Sequence, residues 1–117
     1  MYKYFDFRDF DNCTPKCNIN QMNEDFMIKL DCAREIAGIP FVLNSAYRTV
    51  EWEKAKGRSG TSSHTIGCAA DIKCNNSSDR LKIVSALIEI GFKRIGIYNS
   101  FIHVDNDPYK TDCIFLG

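Results

Sequence analysis

The sequence predicts an α+β fold, a small and mainly antiparallel sheet with flanking helices, on three observations. Two segments carry apolar residues at three- and four-residue spacing behind capping residues, the pattern of amphipathic helices. Three short runs rich in β-branched and aromatic residues are bounded by turn formers, as strands are. The last two runs are separated only by Asn99-Ser100, which points to a hairpin and so to antiparallel pairing.

A chain of 117 residues buries enough surface for one compact domain, here 1–117. Residues 1–18 mix aromatics and charges around a Cys-Thr-Pro-Lys-Cys turn and read as an irregular arm or short strand on a body formed by 19–117. Asn20 or Asn23 can cap a helix whose stripe is Phe26, Met27, Leu30, Ala33 and Ile36 or Ala37, with a stop near Gly38, before Pro40. Residues 41–46 suit a buried strand, and Thr49 can cap a brief helix running to about Lys56. Gly57, Gly60 and the neighbouring serines make a mobile loop, residues 68–74 a second strand, and 75–79 a turn into another helix. That helix is expected to set Leu81, Val84, Leu87 and Ile88 against the sheet and to stop at Gly91. Residues 93–98 and 101–105 form the hairpin.

Fifteen basic and fifteen acidic side chains cancel, which argues against nucleic acid as a partner. No apolar run approaches the roughly 20 residues of a membrane span. The aromatic and charged start lacks the features of a secretory signal, so synthesis in the cytoplasm is expected, with any export by another route. Six cysteines permit up to three disulfides, but without a signal the thiols are expected to be mostly reduced. Cys13 and Cys17 could be half of a structural zinc site, yet no second pair completes four ligands.

His64 and His103 are the only histidines. With Asp71 they make a two-imidazole, one-carboxylate set, the ligand type of a catalytic zinc that keeps one position open. Seven residues span roughly 23 Å as a strand or roughly 10 Å as a helix, so His64 and Asp71 can share an ion only if the chain folds back between them. Gly67 supplies the bend, and Ala69 and Ala70 leave room. In the second motif alternation turns Ile102 and Val104 to the core, and Phe101, His103 and Asp105 to the other face, so that His103 and Asp105 look into one cleft.

Ser45-Ala46-Tyr47-Arg48-Thr49, Ser62-x-His64-x-x-Gly67-x-Ala69-x-Asp71, Gly96-Ile97-Tyr98 and Phe101-Ile102-His103-Val104-Asp105, in that order, resemble the zinc D-Ala-D-Ala carboxypeptidase family, whose fold is shared with Hedgehog signalling domains. The resemblance runs from about Asn20 to Asp105. It implies a Zn2+ peptidase that cleaves peptidoglycan stem peptides or cross-links, as a carboxypeptidase or as an endopeptidase of endolysin type. His64, Asp71 and His103 would be the zinc ligands, and Arg48 the residue that binds substrate and steadies the oxyanion; Arg48 could instead only pair with a carboxylate. The short chain is similar to stand-alone domains of bacteriophages and bacteria, which implies a phage source and action on the cell wall after release. A monomer is expected.

Related enzymes often place a glutamate three residues before the final histidine ligand, where this chain has Ser100. Asp105 is then the first candidate for the general base, with orientation of His103 as its other role. Glu51 and Glu53 are further candidates, although Val50, Trp52 and Lys54 beside them suit a solvated helix face. Ser62 and Ser63 are expected to hydrogen-bond the loop or the substrate, and Trp52 and Tyr98 to pack or wall the cleft. The departure at Ser100 keeps a second reading, a zinc-bearing binding module in the manner of Hedgehog domains. A thiol-rich redox protein is a third, without a CxxC pair to support it.

Overall fold

In the computed structural model, which describes residues 2–117, the arm folds as a 3-10 turn at Phe7–Phe10 rather than as a strand. The Asp6 side chain accepts from the Arg8 amide and the Asp9 side chain from the Asp6 amide, so the turn caps itself. Phe5 and Phe10 enter the core beside it. Helix α1, Glu24–Ala37, starts at Asn23, whose side chain accepts from the Phe26 amide at 2.9 Å, a cap worth about 1 kcal/mol. It ends where Gly38 takes a left-handed φ of 71°. Phe26, Met27, Leu30 and Ala33 are buried as the stripe predicts, while Ile36 is half exposed.

Strand β1 is Leu43–Ser45, and helix α2, Val50–Ala55, follows its Thr49 cap. Strand β2 is Ala69–Lys73 and helix α3 is Ser77–Glu89, capped by Asn76. Helix α3 turns inward a face rotated from the one expected, which keeps Leu87 and the partly buried Val84 but leaves out Leu81 and Ile88. Ile83, Ala86 and Leu87 are buried, whereas Leu81 is 69 % exposed and Ile88 50 %. The helix carries two apolar lines, and Ile83 lies about 160° round from Leu81 at 3.6 residues per turn. Packing against α1 and the sheet selects the line through Ile83 and Leu87.

Strands β3, Arg94–Ile97, and β4, Phe101–Asp105, form the expected hairpin. Strand β5, Cys113–Leu116, adds in parallel to the free edge of β3, and no reading of the sequence anticipates it. The sheet order is β1-β2-β4-β3-β5, antiparallel except for the last pair. Leu43, Ala70, Ile72, Ile95, Ile102 and Val104 join the helices in one core.

The opposite face carries a line of register partners that crosses all five strands: Ser45, Asp71, His103, Gly96 and Phe115. A bulge between Leu43 and Ser45 brings Ser45 onto this line. At Gly96 an added Cβ would stand 2.5 Å from the Phe115 ring, so glycine is what lets that ring lie over β3. Among the described residues, no helix is long and apolar enough to cross a membrane.

Candidate metal centre and its cleft

His64 stands in a 3-10 turn, Ser63–Ile66, whose first amides are met by the Ser62 hydroxyl, accepting from His64 N at 3.2 Å. Gly67 then reverses the chain at φ 71°. A side chain there would also meet Gln21 O at 2.7 Å, so both dihedral and space demand glycine. The reversal lays His64 over β2. Its Nε2 lies 3.4 Å from Asp71 Oδ1, and His103 Nδ1, from the neighbouring strand, lies 3.1 Å from the same oxygen. One donor atom from each of the three residues falls within 4.8 Å of the others.

The remaining ring nitrogens decide which lone pairs face inward. His64 Nδ1 is 2.6 Å from the Ala46 carbonyl, which can only accept, so Nδ1 carries the proton and Nε2 is left as a free donor of its lone pair. His103 Nε2 is 2.6 Å from Asp105 Oδ2 and gives its proton there, which directs Nδ1 at Asp71. Two oriented imidazole lone pairs and a carboxylate oxygen, with a cleft above them, fit a zinc ion with an open coordination position.

Charge in the cluster follows the same contacts. Burial works to raise the Asp71 pKa, but the hydrogen bond with His103 and the imidazole of His64 beside it outweigh it and hold the carboxyl well below the usual carboxylate range. Burial likewise opposes protonation of His103, yet the carboxylates of Asp105 and Asp71 raise its pKa above the ordinary histidine value. Asp105, though desolvated, is lowered by His103, by the Asp107 amide and by Arg94. The metal-free cluster thus favours two carboxylates sharing a protonated His103, the place a cation would take.

Arg48 reaches this centre from the loop after β1. Its backbone amide donates to His64 O at 3.1 Å, and its guanidinium donates to Ser45 Oγ at 3.0 Å, Glu53 Oε2 at 3.4 Å and Asp71 Oδ2 at 3.2 Å. The Trp52 ring lies 5.4 Å beneath it. Glu53 departs from the solvated face expected of it. It is only 1 % exposed, and its carboxylate also accepts from Arg58 Nη1 at 2.9 Å. The signal present in the sequence is an arginine five residues to each side of Glu53. Glu51 is exposed as expected.

The cleft holds about 370 Å³. Arg48, Glu53, Arg58 and Ser62 line it toward the β1 edge, and Tyr98, Phe101 and Phe115 toward the β5 edge. Tyr98 stacks on Phe101 with ring centroids 4.2 Å apart, and Phe115 lies 5.7 Å from the His103 ring. Asp105 lies behind His103, its side chain fully buried and bonded to Arg94 Nε at 3.1 Å. Ser63 points away from the cleft and donates to Asp107 Oδ2 at 2.8 Å, while the Asp107 amide donates to Asp105 Oδ1 at 3.1 Å. This brace, which joins the His64 turn to the end of β4, escapes the sequence reading. Ser100 is exposed on the hairpin turn. Among the described residues, the carboxylates lining the cleft are Glu53 and Asp71.

An α+β domain in which two histidines and an aspartate converge under an open cleft has the make-up of a metallopeptidase. Residues 6–105 match the family model described as Peptidase M15, and the chain belongs to that family of zinc D-Ala-D-Ala carboxypeptidase type. No curated protein sequence matches the chain. The matched span ends at Asp105, so β5 and its Phe115 lie beyond it.

Proposed function

We propose that the protein, a single domain over 1–117, is a zinc-dependent peptidase that hydrolyses peptidoglycan stem peptides or cross-links, as a D-Ala-D-Ala carboxypeptidase or an endopeptidase of endolysin type. The observation that carries this reading is Asp71 Oδ1, within 3.4 Å of one inward-facing nitrogen from each histidine at the base of the cleft. His64 Nε2, Asp71 and His103 Nδ1 would hold the ion. When bound, zinc supplies Lewis-acid polarisation of a carbonyl and an acidified water near neutral pH.

The chain's own residues supply orientation and charge. The Arg48 guanidinium is fixed by Ser45, Glu53 and Asp71, so a peptide carbonyl drawn to the centre meets a positive group already in position. Negative charge that develops on that oxygen is stabilised without further reorganisation. Ser62, which lines the cleft, would contact the substrate backbone. The aromatic side of the cleft, Tyr98, Phe101 and Phe115, would pack against apolar groups that flank the reacting bond. Asp105 acts through His103 as a positioning residue, because it holds the Nε2 proton and is itself sealed from the cleft.

Purified muropeptides incubated with the protein, with and without a chelator, test the reading by mass spectrometry. Chelator-sensitive release of terminal D-alanine selects the carboxypeptidase, and opening of cross-linked dimers selects the endopeptidase. Stoichiometric zinc with no product selects the Hedgehog-like binding module, which is favoured by the exposed Ser100 three residues before His103. Neither zinc nor product would overturn the proposal.

A further inference from the structure

Arg58 lines the cleft but takes no part in the metal cluster. Its guanidinium donates from Nη1 to Glu53 Oε2 at 2.9 Å and, among the described residues, to no other acceptor. A guanidinium carries five N–H donors in a planar fork, so most of the fork stays available to a ligand. Arg48, by contrast, is already committed to Ser45, Glu53 and Asp71. The Arg58 side chain is 48 % exposed, against 15 % for Arg48. The Trp52 ring lies 5.2 Å from Arg58 Cζ and 5.4 Å from Arg48 Cζ, so one indole backs both cations. The backbone keeps Arg58 at this place, because its amide donates to Glu53 O at 3.0 Å, one residue after Gly57 turns the chain at a φ of 81°.

A shared acceptor fixes where Arg58 stands relative to the metal centre. Arg48 Nη1 and Arg58 Nη1 both approach Glu53 Oε2, at 3.4 and 2.9 Å, so the two guanidiniums are neighbours. Arg48 also bonds Asp71, whereas Arg58 bonds no member of the metal cluster and stands one step further along the β1 side. One residue of extended peptide advances about 3.3–3.6 Å, which carries the group beyond a carbonyl held at Arg48 toward Arg58. On that side two guanidiniums share the carboxylate of Glu53, and Asp71 is divided between Arg48 and the histidines, which leaves room for one more anionic group. Tyr98, Phe101 and Phe115 line the other side, so the cleft has a cationic end and an aromatic end.

We propose that Arg58 recognises the free C-terminal carboxylate of the substrate, with the leaving amino acid on the β1 side and the acyl part of the peptide along the aromatic side. The assignment rests on the peptidase reading above and decides, within it, for the carboxypeptidase. A carboxylate meets the guanidinium fork with two parallel, charge-assisted hydrogen bonds. An internal peptide bond puts a neutral amide at the same place, which carries no charge to match the cation.

The test compares an N-acylated peptide ending in D-Ala-D-Ala with the same peptide as its C-terminal amide, each given to the zinc-loaded full chain. The acid is expected to show a kcat/KM about 10–100-fold above that of the amide, the range of a charge-assisted pair. Arg58→Gln should raise KM for the acid by a similar factor, and far more than for the amide, so that the preference collapses. Arg58→Lys keeps the charge without the fork and should restore part of the preference; it reads the same ratio should the glutamine variant fail to fold. Equal cleavage of acid and amide by the parent chain, or an equal loss on both in Arg58→Gln, as a merely structural role would give, overturns the assignment. If the zinc-loaded chain cleaves neither peptide, the peptidase reading fails, and calorimetric titration of the two intact peptides then decides on Arg58. Tighter binding of the acid that is lost in Arg58→Gln upholds it, and equal or absent binding overturns it.

Discussion

Glu53→Gln removes a negative charge from between two guanidiniums while leaving the side chain's shape almost unchanged. Its carboxylate, 2 % exposed, accepts from Arg58 at 2.9 Å and from Arg48 at 3.4 Å. Taking one partner from a buried ion pair costs about 3–5 kcal/mol. Two features reduce that figure here. The Arg58 side chain is 48 % exposed and can turn into water, so its share is about 0–1 kcal/mol. Arg48 keeps Asp71 and Ser45 and is left only partly uncompensated. The net loss is then about 2–3 kcal/mol, which at roughly 4 °C per kcal/mol lowers the thermal midpoint by about 8–12 °C. Thermal unfolding followed by circular dichroism measures it. Peptidase turnover should fall as well, in kcat more than in KM, because Arg48 loses an anchor and acts mainly in the transition state. An unchanged midpoint together with unchanged turnover would refute the idea that Glu53 fixes the cleft arginines. A stable variant with turnover abolished would instead assign Glu53 a direct role on substrate.

Arg48→Ala should lower kcat/KM by about 10²–10³ while zinc content, read by elemental analysis, stays the same. Asp105→Asn should weaken zinc binding by about 10–100-fold through a less well oriented His103, with little change in the far-ultraviolet spectrum. In the metal-free protein the depressed carboxyls of Asp71 and Asp105 contribute stability in full above the unfolded value of about 3.9, and lose it as pH falls through their folded values. His103, raised by those carboxylates, contributes in full below about 6.5 and loses it as pH rises through its folded pKa. Thermal midpoints of chelated protein should therefore peak between these limits and fall on both sides, and a flat profile would contradict the assignment.

The convergence of His64, Asp71 and His103 is legible in the sequence because two of the three steps toward it are local and the motif resemblance implies the third. Gly67 forces the reversal, alternation sets His103 opposite Ile102 and Val104, and register then makes Asp71 its neighbour. Helix α1 is legible for a similar reason, with one cap, one stripe and one stop. Helix α3 carries two apolar lines, and only the packed neighbours choose between them. Strand β5 has no alternation to mark it, and its parallel pairing with β3 is a long-range event that local pattern does not encode. Glu53 is missed because its flanks read as solvated, while its charge is met by arginines beyond either end of a six-residue helix. The brace from Ser63 through Asp107 to Asp105 joins residues 44 apart in the chain, a separation that only the closed fold brings together.

Calorimetric titration of zinc into the metal-free protein bears most directly on whether His64, Asp71 and His103 act together on one ion. One zinc per chain is expected, with binding lost in His64→Ala and in His103→Ala while both variants keep their secondary structure. Zinc that binds as tightly to either variant as to the parent chain, or that does not bind the parent at all, would contradict the account.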